Sequence, residues 1–366
     1  MASNYTPAEA FAPGEYLRDE LEEREWTVTE FAEIIGRPIQ AVSEILNAKK
    51  DITPETAVSF SEALGTTAEL WLNLQTAYKL HLQRVAATSQ DMTPVARRAR
   101  LRGRLPLAEV RSRGWIPDST DLDATEAAVC ELLEIPSLDD DCQFLIAARR
   151  SNPDEPVSDK QSAWLGHVRQ MAQRQVVGEY SRSALESLAA ELPHIAQDGP
   201  DVLPDLPGLL GDCGVCLVFA EGLRGGKLDG AVTVLRDERP VIGLTTRGNR
   251  FDSVLYTLLH ECAHLTLRHV GPGSDTPAAI YDDDLFEHSE DSREREANQQ
   301  VSDWLFPDGF KCSSMTVPSI TEAAMRYEVH PSVVIGRIHF ETKKYHLHRS
   351  HIPKAKPPLQ DAGLLS

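Results

Sequence analysis

The sequence lacks any apolar stretch near the ~18 uninterrupted residues that mark a membrane helix. Its opening, MASNYTPAEAFAPGEYL, has neither the basic start nor the apolar centre of a secretory signal. Both absences argue against secretion and membrane insertion and predict a cytoplasmic protein with no membrane partner. Cysteine is scarce, and six in 366 residues are too few for a disulfide scaffold. Cys213 and Cys216 form a lone C-x-x-C with no second pair, and Cys216 opens the apolar run CLVFAE. They read as small buried hydrophobes rather than as a redox pair. Positive charge is short as well: 37 Lys+Arg face 56 Asp+Glu, a formal charge of −19. Nucleic-acid binding through bulk charge is thereby excluded, and any such contact has to be local.

What is present suffices for two or three domains with real cores, since 41% of the residues are hydrophobic. The charge is uneven. Residues 1–82 carry a net of −8, residues 83–104 a net of +5, residues 105–210 a net of −11 and residues 211–366 a net of −5. The positive stretch is mostly Arg97-Arg98-Ala99-Arg100-Leu101-Arg102-Gly103-Arg104, read either as a phosphate-binding run or as a solvated helix face.

The first eighty residues are punctuated as short helices. Thr27-Val28-Thr29-Glu30 and Thr66-Thr67-Ala68-Glu69 fit the capping box, in which Thr and Glu satisfy each other's backbone donors. Thr53-Pro54 reads as an N-cap followed by proline at the first helical position. Gly36 and Gly65 stand where helices should end. Helices near 28–35 and 38–47, joined at Gly36-Arg37, have helix-turn-helix proportions. The segment from PGEYLRDELEEREW through ITPETAVSF to ELWLNLQTAYKL resembles the Xre-type helix-turn-helix of HigA-type antitoxins. By that resemblance the second helix of the motif would enter the major groove. Gln40, Ser43 and Asn47 would then face bases, with Lys49 and Lys50 on nearby phosphates. Glu44 would repel phosphate unless it reads a cytosine amino group. A module that has left DNA and mediates protein contact is the alternative, and the local net of −8 gives it weight.

Residues 105–210 alternate helical stretches with acidic, proline-rich breaks, and no chemical constellation stands out there. From about 206 the pattern changes. Gly214–Glu221, Gly230–Arg236 and Pro240–Thr246 are β-branched runs that predict three short antiparallel strands. A long helix, FDSVLYTLLHECAHLTLRH, follows. Within it His260 and His264 are four apart and share a face, so both imidazoles can meet one Zn²⁺ about 2 Å away. Glu261, one position round, is placed to act on water. This is the H-E-x-x-H arrangement of zinc peptidases. Zinc needs a third protein ligand and an open position. His269, nine residues after His260, lies about 180° round the helix and cannot join the same ion, which leaves a carboxylate from the helix opened by Asp291-Ser292-Arg293-Glu294-Arg295-Glu296-Ala297-Asn298. Glu296 flanks its apolar face and is the expected ligand, with Glu294 as the fallback.

The pair LLHECAHLTLRH and EREANQQVSDWLFP resembles the ImmA/IrrE family of metallo-endopeptidases. The resemblance implies a gluzincin-like domain with Zn²⁺ as cofactor, cutting a repressor- or antitoxin-like protein to regulate transcription or a stress response. Cys262-Ala263 and Gln299-Gln300-Val301 depart from the usual pattern. A second electrophile would come from His269, Tyr281 or His288. The rival is a HigA-type antitoxin or repressor whose peptidase fold is structural or inactive. In a third version the helix-turn-helix serves only to capture a protein substrate.

The expected fold class is therefore α+β and mostly helical. An all-α helix-turn-helix domain occupies 1–82, a basic linker helix 83–112 and an acidic helical connecting region 113–205. The metallopeptidase domain with its small antiparallel sheet occupies 206–312. A small helical region over 313–352, built around Val329-His330-Pro331, and a mobile tail over 353–366 complete the chain. Nothing in the sequence selects between a monomer and a homodimer.

Overall fold

The computed structural model describes residues 11–86, 93–140, 149–150, 158–272, 279–282 and 292–365. It divides into two compact units, Met1–Pro94 and Val95–Ser366. Among the described residues no helix is long and apolar enough to cross a membrane.

The first unit is built from α1 (Pro13–Glu23), α2 (Val28–Ile34), α3 (Ile39–Leu46), α4 (Pro54–Leu64) and α5 (Ala68–Ala86). Local chemistry sets the boundaries. Thr27 and Glu30 form the reciprocal capping box of α2, and Thr53 caps α4 ahead of Pro54. Gly65 then ends α4 in the left-handed region, at φ 68°. At the next start the expected box is not made: Thr67 caps the Leu70 N–H, while Thr66 Oγ1 accepts from the Trp71 indole at 2.8 Å. Burial of that indole decides the matter, because a buried N–H needs a partner. Leu17, Phe31, Val42, Phe60 and Trp71 fill the core. Phe60 meets Phe31 and Trp71 edge to face, with centroids at 5.3 and 5.2 Å.

The second unit begins with α6 (Pro94–Arg104), α7 (Leu107–Ser112), α8 (Leu122–Leu132), β1 (Arg149–Arg150), α9 (Asp159–Gln173), α10 (Arg182–Ile195) and α11 (Leu206–Asp212). Next come β2 (Cys216–Phe219), β3 (Gly230–Val234), β4 (Pro240–Leu244), α12 (Phe251–Thr266), β5 (Ala279–Asp282) and α13 (Ser292–Leu305). The unit closes with α14 (Val317–Tyr327), α15 (Pro331–Thr342) and α16 (Lys356–Asp361).

The sheet order is β1-β5-β3-β4-β2. It is mixed, which corrects the expected antiparallel sheet: β3 runs antiparallel to β4 and β5, but β2 pairs with β4 in parallel, Cys216 opposite Val241. Turn chemistry reports only the β3–β4 hairpin; the neighbour of β2 is a long-range choice. Alternate residues face opposite layers. Leu217, Phe219, Val232, Ile242 and Leu244 pack with α12, whereas Cys216, Val218, Ala231 and Val241 pack with α8 and α9. Burial on both faces explains why these strands are apolar without alternation.

Two further corrections concern organisation. Residues 113–205 belong to the same compact unit as the sheet and are no separate connecting region. Trp164 of α9 donates to the Ala220 carbonyl, and Arg169 reaches the Val234 carbonyl at 2.6 Å. Residues 353–365 are likewise no mobile tail. The Phe251 N–H donates to Pro353 O at 3.0 Å, Lys356 N–H donates to Asn249 Oδ1 at 2.8 Å, and Leu365 bridges Phe219. These contacts hold the start of α12. The arginine run serves neither expected purpose alone: Arg97 pairs with Asp123 and Glu126, Arg100 with Asp139 and Arg104 with Asp159, all within the unit.

One buried group links this packing to pH. His167 stacks on Trp115, with centroids 4.4 Å apart and planes 9° apart. Burial, then the Arg174 and Arg113 cations, push its pKa down to about 4. A free imidazole titrates near 6.5, so the unfolded chain binds the proton first. The stability contributed by a neutral His167 is complete above pH 6.5 and is lost as pH falls towards 4, on the order of 3 kcal/mol. Urea midpoints measured from pH 7 to 4 should therefore fall less steeply in His167→Phe than in the wild type.

Candidate metal centre and helix-turn-helix surface

Helix α12 is buried along nearly its whole length, from Phe251 to Thr266. His260, Glu261 and His264 are each fully buried. The imidazole Nε2 atoms of His260 and His264 lie 3.0 Å apart. Between them and α13 stands Glu294, whose Oε2 is 3.0 Å from His260 Nε2 and whose Oε1 is 3.4 Å from His264 Nε2. Among the described residues these three form a group whose donor atoms all lie within 4.8 Å of one another.

The third position is thus Glu294 and not the expected Glu296. Helix geometry gives the reason. Glu294, Ala297, Val301 and Leu305 are the buried residues of α13, at spacings of three, four and four. Glu294 continues the apolar stripe by one turn, while the Glu296 side chain is 61% exposed. The stripe was visible in the sequence, but its first member was hidden by being charged.

Electrostatics suit the donor set. Burial alone would raise the Glu294 carboxyl, but hydrogen bonds with His260 and His264 overturn that and hold it well below the usual carboxylate range. Burial pushes His264 down to about 4, against the opposing pull of Glu294. A carboxylate and a neutral imidazole are the forms that bind metal. Two imidazole nitrogens and one carboxylate oxygen are donors that would fit Zn²⁺. Cys262 is not part of the set; it sits in the core with its thiol pushed up by burial.

Glu261 is accommodated by a glycine. A Cβ on Gly230, the first residue of β3, would lie 2.5 Å from Thr257 Cγ2 and 2.6 Å from Glu261 Oε1. The bare backbone lets the strand seat against the carboxylate.

His269 does not lie where a continued helix would put it. α12 stops at Thr266, Arg268 takes a left-handed φ of 60°, and the chain turns back. The His269 N–H then donates to the His264 carbonyl at 2.8 Å, and its Nδ1 comes to 3.0 Å from His264 Nδ1. Its other nitrogen, Nε2, is 3.2 Å from Glu296 Oε2. His269 is thus engaged behind the histidine pair rather than projecting as an electrophile. Tyr281 lies in β5; His288 lies outside the described residues. Tyr256, which sequence reasoning missed, stacks beside His260 and donates to Asn298 Oδ1 at 2.7 Å.

In the first unit, Gly36 at φ 64° makes the tight turn between α2 and α3. Gln40, Asn47, Lys49 and Lys50 are exposed and Ser43 half-buried. Gln40 donates to Glu44 Oε1 at 3.1 Å, and Asn47 donates to the Ser43 carbonyl at 2.7 Å. Gln40, Ser43, Glu44 and Asn47 share one face of α3, whereas Lys49 and Lys50 follow the helix end.

Comparison with known proteins bears on this unit. The model of the helix-turn-helix family matches residues 17–71. The uncharacterized HTH-type transcriptional regulator YddM of Escherichia coli K12 is 34% identical over 68 residues, covering 19% of this chain and 72% of that protein. An uncharacterized HTH-type transcriptional regulator of Haemophilus influenzae is 33% identical over 90 residues, 23% of this chain and 84% of that protein. A solved addiction module antidote protein of the HigA family from Coxiella burnetii is 32% identical, covering 24% of this chain and 98% of its own, with a TM-score of 0.22.

Proposed function

Because the chain belongs to the helix-turn-helix family through residues 17–71, we propose that it is a DNA-binding transcriptional regulator related to HigA-type antitoxins. The observation that carries this reading is the α2–turn–α3 pair, with Gln40 and Asn47 exposed on α3. Gln40, Ser43 and Asn47 would read base edges and Lys49 and Lys50 would neutralise phosphates. In fluorescence anisotropy with a duplex selected from a random library, Lys49→Ala/Lys50→Ala should weaken binding to all sequences. It should also flatten the salt dependence by about one unit for each lost phosphate contact. Gln40→Ala or Asn47→Ala should instead relax sequence preference by about 1–3 kcal/mol. Wild-type protein that selects no sequence would sink this reading in favour of a protein-contact module.

A second reading concerns Val95–Ser366 and is favoured by the buried His260–His264–Glu294 group with Glu261 beside it. It is a zinc-dependent endopeptidase of ImmA/IrrE type, gluzincin-like in its ligands, acting on a repressor- or antitoxin-like protein. Zinc held there would polarise water and the scissile carbonyl. Glu261 would accept the proton of the attacking water at a carboxylate oxygen and return it to the departing amine. His260, His264 and Glu294 would keep the ion fixed, and the buried surroundings strengthen every charge interaction within the site. Labelling of new amino termini in a bacterial extract, with zinc-loaded wild type beside Glu261→Gln, tests it. Termini made only by the wild type support hydrolysis. Identical patterns would leave a regulator whose metal group is structural.

A further inference from the structure

We propose that His269 and Glu296 form a positioning relay that fixes the orientation and tautomer of His264 at the metal centre. The inference rests on the metal reading above but assigns residues outside the ligand set. Three distances carry it. His264 Nε2 faces Glu294 at 3.4 Å, its Nδ1 meets His269 Nδ1 at 3.0 Å, and His269 Nε2 meets Glu296 Oε2 at 3.2 Å.

Hydrogen-bond logic then sets the protons in one direction. If Nε2 of His264 serves the ion, its proton resides on Nδ1 and is donated to the Nδ1 lone pair of His269. The proton of a neutral His269 consequently sits on Nε2 and is donated to Glu296, a group that only accepts. Each donor meets an acceptor, and neither ring needs a charge. A ligating histidine usually hands its second N–H to an oxygen acceptor. Here a second imidazole is interposed and the carboxylate stands one step further out.

The backbone is arranged for this contact. Arg268, in the left-handed region, reverses the chain after α12, and the His269 N–H returns to the His264 carbonyl at 2.8 Å. His269 is 7% exposed, which confines its ring. α13 therefore reaches the same histidine twice: directly through Glu294, and from behind through Glu296 by way of His269. A rigid circuit from α13 to α12 and back follows, with His264 held at both nitrogens.

The test uses the full-length chain and measures zinc affinity by competition with a chromogenic chelator. The absorption spectrum of the cobalt-substituted protein is recorded alongside. His269→Leu is expected to weaken zinc about 10–100-fold, the range found for outer partners of metal ligands, and to shift the cobalt bands. His269→Asn, whose side-chain oxygen can take the place of Nδ1, should recover most of the affinity. Glu296→Ala should weaken zinc less than His269→Leu, because its carboxylate is largely exposed. Wild-type affinity in His269→Leu overturns the relay, as does an Asn variant no better than Leu with cobalt bands unmoved. A wild type that takes up no zinc overturns the metal reading and the relay together.

Discussion

Zinc-equilibrated wild-type protein is expected to hold one ion per chain by elemental analysis, and Glu294→Ala or His264→Ala to hold none after dialysis against a weak chelator. Glu296→Ala should still fill when zinc is saturating. The contrast between the two glutamates is the sharp part of this expectation. They are two positions apart, yet one is buried against both imidazoles and the other lies largely in solvent. Losing a direct donor should exceed the roughly 10–100-fold loss typical of outer partners. Glu294→Gln, of the same shape but without charge, separates lost ligation from lost packing. If Glu296→Ala empties the site and Glu294→Ala does not, the triad is wrong.

Gly166→Ala should be the most damaging single methyl group in the second unit. Gly166 lies within α9 where it crosses the end of α8, and a Cβ there would fall 1.9 Å from the Leu132 carbonyl oxygen. The obstacle is backbone, so no side-chain rotation relieves it, and α9 must lift from α8. Overpacking of this kind is destabilising by roughly 3 kcal/mol, which corresponds to about 6–12 °C in Tm for a unit of this size. Gly208→Ala in α11 is the control, since nothing lies within 4 Å of its Cβ position. There the better helix propensity of alanine should leave Tm unchanged or raise it by a degree or two. Calorimetry of the two variants beside wild type decides the question, and equal Tm values would refute the close approach.

How much was legible in the sequence follows the range of the interactions. The caps at Thr27 and Thr53 and the stop at Gly65 are local chemistry, and the helices near 28–35 and 38–47 were readable to within a residue at each end. His260, Glu261 and His264 were readable because four residues on a helix fix a shared face. The carboxylate was less so. Glu294 obeys the stripe of Ala297, Val301 and Leu305, but a charged residue at its head reads as a solvated N-terminal turn until its partners are known. His269 was hidden for a different reason: a non-glycine residue, Arg268, adopts the left-handed turn, and no composition signal marks it. The parallel pairing of β2 with β4 and the anchoring of Pro353, Lys356 and Leu365 join segments far apart in sequence, where neither periodicity nor turn chemistry speaks.

The span between the histidines of α12 and Glu294 has a thermodynamic side. His260 and Glu294 are 34 positions apart, so an ion held between them would be a cross-link between two helices. Any ligand that binds only the folded chain shifts the folding equilibrium by mass action, about 4 kcal/mol at a thousandfold excess over its Kd. Zinc supply would then set how long the second unit survives unfolding and degradation, so the abundance of the protein, and not only its chemistry, would follow the metal content of the cell.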